Sequence, residues 1–225
     1  MVAAGKLINK RPMKRLTTDP ATIHLAETDP RMAALIAKVG ALPLEKPGFR
    51  EPYHALLSAV AHQQLHARAA LAILGRLKTV SGGELPEPAA LLALSDEVLR
   101  GCGFSAAKAA AIRDIAAKAE AGVVPARARA MRLSDAALIE RLTTIRGVGR
   151  WTVEMLLIFT LRRPDVFPVD DFGVREGYRV TFGLEVPLKP RALAAAAEVF
   201  APHRSLAARY FWRAADMPKV AAQAG

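Results

Sequence analysis

The stretch TTIRGVGRWT, Thr143–Thr152, decides how the rest of the chain reads. One apolar helical run ends at Ile145 and another begins at Arg150, so only a few residues reverse the chain. Gly147 and Gly149 permit positive φ and let a second backbone approach where a Cβ would obstruct it. The N–H groups of such a turn, with those opening the next helix, form an anion-binding surface. Eight arginines against three acids between Pro125 and Arg163 give the region the right sign for phosphate. The stretch is no P-loop, because the G-x-x-x-x-G-K-[ST] spacing is missing. It is no dinucleotide fingerprint either, because no strand precedes it and no third glycine follows in place. Taken alone, Gly-Val-Gly is equally the grammar of a plain helix–helix turn.

Charge points the same way. The 225 residues carry a net charge of +11, and 52% are hydrophobic, ample for a real core. That excess favours a polyanionic partner, nucleic acid before membrane, because each neutralised phosphate releases a counterion. A single cysteine excludes a disulfide framework and a four-cysteine iron–sulfur or zinc site. No apolar run reaches the length of a membrane span. Residues 1–20 hold Lys6, Lys10, Arg11, Lys14 and Arg15 without the apolar block of a signal peptide, and read as a flexible basic arm on a cytoplasmic protein.

The sequence predicts an all-α protein, rich in Ala and Leu and nearly devoid of β-branched alternation. Helices are expected over Asp29–Val39, Pro52–Val80, Ser95–Gly101, Ser105–Ala121, Ser134–Thr143, Arg150–Leu161, Asp171–Phe182, Pro190–Phe200 and His203–Asp216. Ser95, Ser105 and Ser134 are N-cap candidates, and Ala121–Met131 reads as an exposed link. A weak internal echo joins LSDEVLRGCGFSAAKAAAI to LSDAALIERLTTIRGVGRWTVEM, each running from a cap through a glycine turn into a helix.

Beyond the second of those helices, VFPVDDFGVREG places Asp170 and Asp171 just before another helix, where either could be no more than a cap. Hairpin and aspartates together resemble the helix-hairpin-helix DNA glycosylases, most closely the DNA-3-methyladenine glycosylase II branch. Leu142, Ile145, Gly147, Val148, Gly149, Trp151 and Thr152 fill the branch's hairpin pattern, and Pro168, Asp170 and Asp171 its P-x-D-D pattern. Three flanking stretches add weaker matches: ALLSAVAHQQLHARAALAILGRL, GFSAAKAAAIRDIA and PHRSLAARYFW. The resemblance implies a two-lobed helical fold with an active cleft between the lobes. A domain over residues 21–225 would have a central lobe at about 52–170, with the N-terminal helices and C-terminal helices 171–216 forming the other. Some relatives carry an extra N-terminal α/β domain; the roughly fifty residues before Pro52 look like the short form.

The resemblance also implies roles. Duplex DNA bearing a damaged base is the expected partner, met by a monomer away from any membrane. The enzyme would flip the nucleotide out and cleave the N-glycosidic bond of 3-methyladenine or 7-methylguanine type bases. Asp171 is the expected catalytic carboxylate and Asp170 the helix-capping or orienting one, with the assignment open by one residue. Leu65, in a Gln63-Gln64-Leu65-His66 loop, is the wedge candidate, although a lone leucine also serves as core. Trp151, Met155, His203 and Gln63 would line the base pocket, and Arg146, Gly147, Val148, Gly149, Arg150, Thr152, Arg204 and Ser205 would meet DNA. Trp151 stands where strand-cutting relatives carry a Schiff-base lysine, which predicts a monofunctional enzyme. Met155 and His203 depart from aromatic positions of the branch, thinning the pocket; His203 reads equally as a helix cap. His24, His54 and His62 lack metal-ligand spacing, so no catalytic metal is expected. A monovalent cation on the carbonyls of Thr143, Ile145 and Val148 is implied instead. Two other readings stand: a non-catalytic helix-hairpin-helix binding module, and a glycosylase for mismatched or oxidised bases. The sequence does not rank methylpurines, ethenoadenine and hypoxanthine as substrates.

Overall fold

The computed structural model describes residues 19–43 and 47–223, with side chains as far as Met217; the basic residues of the expected arm, 6–15, lie outside it. All regular structure among the described residues is helical, as the composition predicts, and the chain divides into two compact units, Met1–Pro43 with Val169–Gly225 and Leu44–Pro168. The first unit opens with α1 (Pro20–Thr28) and α2 (Pro30–Val39). Each starts at an Asp-Pro pair, in which the aspartate side chain caps the first turn and proline occupies the position that needs no N–H. Helix α1 is additional to the expected helices, which begin at Asp29; its Asp19-Pro20 start signal sits at the very end of the expected basic arm.

The second unit contains α3 (Pro52–His62), α4 (Ala67–Val80), α5 (Pro88–Ala93), α6 (Asp96–Gly101), α7 (Ala106–Glu120), α8 (Arg127–Ala130), α9 (Asp135–Leu142) and α10 (Arg150–Met155). Helix α3 packs against α4 and α7 and contributes Leu56, Leu57 and Val60, all fully buried. Ser95, Ser105 and Ser134 cap α6, α7 and α9, each accepting the N–H three residues on. Pro52–Val80 is two helices rather than one. The chain breaks at Gln63–His66, where Gln64 takes φ 56°. Ala121–Met131 is also not a simple exposed link. Val124 and Ala130 are buried, α8 lies within it, and the Arg127 N–H and guanidinium bond to Glu51 and to the Thr160 carbonyl. Helix α10 continues into a π-helical turn, Leu156–Thr160, closed by the Leu161 N–H on the Leu156 carbonyl.

The first unit is completed by α11 (Phe172–Phe182), α12 (Pro190–Ala196, extended by a 3₁₀ turn Ala197–Phe200) and α13 (Arg204–Gln223). Tyr178, Phe182, Phe200 and Phe211 form its aromatic centre, with Tyr178 stacked on Phe182 at 4.2 Å. Gly177 lets α11 and α13 touch backbone to backbone, since a Cβ there would lie 1.8 Å from the Phe211 carbonyl oxygen.

Candidate functional site

The hairpin of the second unit is anchored from below. Ile145 and Val148 are buried, and Gly147 takes φ 76° with room for no Cβ nearer than 3.1 Å to Ala111. Two turn N–H groups face protein rather than an incoming anion. That of Arg146 donates to Asp114 Oδ2 at 2.7 Å, and that of Val148 to the Ile145 carbonyl at 3.1 Å. This corrects the expectation that all the turn's donors point outward. Thr152, expected at the DNA surface, is buried, because it lies on the core side of the first turn of α10. Arg150 reaches forward one turn along that helix to Glu154, whose carboxylate is buried, at 2.9 Å.

Trp151 is 48% exposed, Met155 half-buried and Phe159 42% exposed. Spaced by four, they form an apolar stripe along α10 and the π turn. Phe159 was missed in the sequence, where that spacing was the available signal. Gln63, expected in a base pocket, instead donates its amide to the Gly147 carbonyl at 2.9 Å. Next to it Leu65 stands 41% exposed. The Lys108 ammonium bonds to the carbonyls of Ala61 and Gln63 at 2.9 and 2.7 Å, a role invisible in sequence across 45 residues.

The internal echo is a shared backbone device. Gly103 and Gly147 both have positive φ, each followed by a buried apolar residue and then an N-cap. They differ in what covers the turn. Arg76 donates to the Cys102 carbonyl at 2.8 Å, and its guanidinium fills the space beside Gly103. The first copy is therefore covered by protein.

In the first unit, Asp171 and not Asp170 is the N-cap of α11, accepting the Val174 N–H on Oδ1 at 2.8 Å. The expected cap role moves by one residue because Phe172 is already helical; Asp170 is exposed in the preceding turn. The same Oδ1 accepts the Trp212 indole N–H at 2.7 Å. Trp212 ends the PHRSLAARYFW stretch yet was given no role from sequence. His203 lies edge-on to His24, ring centres 5.2 Å apart. Arg204 pairs with Glu198 at 2.8 Å, and Ser205, expected to meet DNA, is buried in the opening turn of α13. Among the described residues no three His, Cys, Asp or Glu side chains could share a metal ion, and Cys102 is buried. None of the described helices is long and apolar enough to cross a membrane.

Residues 57–202 match the HhH-GPD superfamily base excision DNA repair proteins. Over 200 residues, 88% of this chain and 87% of the relative, the sequence is 44% identical to DNA-3-methyladenine glycosylase 1 of Schizosaccharomyces pombe. The structure of the S. pombe 3-methyladenine DNA glycosylase Mag1 in complex with abasic DNA superposes with TM-score 0.77 and 42% identity, covering 87% of this chain and 96% of that one. The DNA-3-methyladenine glycosidase of Bacillus halodurans superposes with TM-score 0.81 at 32% identity, covering 91% and 93%. With the hairpin, the capping aspartate and the helical order all in place, the chain belongs to the HhH-GPD superfamily, in its 3-methyladenine DNA glycosylase family.

Proposed function

We propose that this chain is a monofunctional DNA glycosylase of base excision repair. It extrudes methylated purines of the 3-methyladenine and 7-methylguanine type from duplex DNA and hydrolyses their N-glycosidic bond, leaving an abasic site. The observation that carries this is the Asp171 carboxylate, oriented by two donors, the Val174 N–H and the Trp212 indole. As the bond from C1′ to the base nitrogen breaks, its electron pair leaves with the base and positive charge develops on the sugar. A fixed carboxylate stabilises that oxocarbenium ion and directs the attacking water, whose oxygen bonds to C1′ as its proton passes to the carboxylate and then to solvent. Before cleavage a methylated purine carries positive charge, which an exposed aromatic face such as Trp151 would attract by stacking and cation–π interaction, and it leaves as a neutral base.

On the DNA side, the N–H groups of Gly147, Gly149 and the opening of α10 would take a phosphate, with Arg146 beside them. The Ile145 carbonyl already accepts the Val148 N–H and keeps a second lone pair. With the carbonyls of Thr143 and Val148 it would hold a monovalent cation, which would supply positive charge beside a bound phosphate. Leu65 would fill the gap left by the extruded nucleotide. The protein acts as a monomer on genomic DNA, and the superfamily match together with the abasic DNA bound to the S. pombe relative supports that partner.

The test is release of free bases from methylated duplex DNA, identified by chromatography. Strands should break only after alkali treatment, and borohydride should trap no covalent adduct, because Trp151 occupies the position that a Schiff-base lysine would need. A trapped adduct overturns the monofunctional reading. If wild-type protein releases no damaged base of any kind, the hairpin is a binding module and Asp171 only a cap.

A further inference from the structure

Both loops assigned to DNA above are fastened to one helix. Lys108, Ala111 and Asp114 lie three apart on α7. Lys108 holds the carbonyls of Ala61 and Gln63, at and just beyond the last turn of α3. Carbonyls there have no partner within the helix and sit at its negative end, so an ammonium is the fitting cap. Ala111 packs under Gly147, and Asp114 holds the Arg146 N–H. Gln63 closes the circuit by donating to the Gly147 carbonyl. The segment so clamped is short and conformationally forced, with Gln64 at φ 56° immediately before exposed Leu65. Burial pulls the Lys108 pKa down, the cost of bringing this charge under the loop.

We propose that Lys108 is a positioning residue for base extrusion: by bonding the Ala61 and Gln63 carbonyls it holds Leu65 at a fixed register from the phosphate-gripping hairpin. The inference rests on Leu65 being the wedge. A wedge displaced by one ångström enters the stack at the wrong height, while the hairpin still grips the backbone. Lys108 therefore governs extrusion and not binding.

The experiment uses the full-length chain on duplexes carrying 2-aminopurine beside the damaged base. It compares wild type with Lys108→Met, Leu65→Ala and the double variant. Lys108→Met keeps the unbranched apolar stem of the side chain and removes its donors. Unstacking fluorescence and the single-turnover excision rate should fall together, on the order of 10–100-fold, with affinity for undamaged duplex close to wild type. In the double variant the loss should be no greater than in Leu65→Ala alone, because two residues acting through one contact do not add. Additive losses mean that Lys108 only supports the fold and overturn the proposal. If Leu65→Ala slows both readouts but Lys108→Met moves neither, the proposal falls and the wedge stands. If Leu65→Ala is as active as wild type, the wedge reading falls and takes the proposal with it. Should Lys108→Met not fold, Gln63→Ala breaks the loop-to-hairpin bond at a surface position. Its loss must likewise vanish in the Leu65→Ala background, and additivity there is equally fatal.

Discussion

At Asp171 the demand of folding and the proposed chemistry fall on one oxygen, which accepts both the first-turn N–H of α11 and the Trp212 indole. The two can be separated by substitution. Asparagine caps a helix as well as aspartate does, so Asp171→Asn should stay folded and bind DNA while excision drops by roughly 10²–10³ in single-turnover assays. Asp171→Ala should in addition lose about 1 kcal/mol of stability with the cap. Asp170→Asn, at an exposed turn residue, should resemble wild type in both measurements. An inactive Asp170→Asn beside an active Asp171→Asn would move the catalytic role one residue upstream. Trp212→Phe keeps an aromatic ring and removes the N–H. A bond to a charged acceptor contributes about 1.5–3 kcal/mol, so excision should slow by about tenfold or more with the fold intact, read in the same assay. The aspartate pair was legible in the sequence, but which member caps was not, because both have a helical N–H three residues on. Trp212 lies 41 residues away, and no local pattern announces such a bond.

Among the elements, the hairpin glycines are unequal. Gly147 is in the left-handed region over Ala111, whereas Gly149 has φ −91° and nothing within 4 Å of a Cβ. Gly147→Ala should cost about 1–2 kcal/mol in a denaturant titration and weaken binding to all duplex sequences alike. Gly149→Ala should cost only its poorer capping, about half a kcal/mol. Equal losses from the two would contradict the turn geometry. Helix α2 offers a pH test. The Arg31 side chain, and then its backbone N–H, hold the Asp29 carboxyl down from 3.8 to about 2. A group bound more weakly by protons when folded stabilises above its unfolded pKa, so this contribution is complete above about pH 4 and lost as pH falls towards 2. Asp29→Ala should flatten that part of the acid unfolding curve. Helices announced by a local cap, such as those begun by Ser95, Ser105 and Ser134, could be read directly. The break between α3 and α4 has no such local signal, because Gln-Gln-Leu-His contains neither glycine nor proline, and only the resemblance points to a loop there. What stabilises it, Lys108 and the Gly147 carbonyl, comes from distant parts of the chain.

For the whole molecule, the +11 charge predicts a hold on undamaged duplex that is set by salt. A log–log plot of affinity against salt should be linear, with a slope of about −0.9 for each phosphate contacted; a flat plot would mean that the arginines face elsewhere. Superfamily and helical class were legible because the hairpin and the aspartate pair are compact, local patterns. The limits of the two units were a matter of long-range contacts. One of those units is continuous, Leu44–Pro168, while the other is assembled from segments on either side of it. This imposes an order on biosynthesis. The apolar faces of α1 and α2, with Leu25, Met32, Leu35 and Ile36, leave the ribosome first. They then wait through the whole inserted unit for α11 and α13, roughly 10 s at ordinary elongation rates. The nascent chain therefore has its complete hairpin before Trp212 emerges to orient Asp171, so on the proposed roles a chain stalled in between would hold DNA without yet being able to cut a base from it.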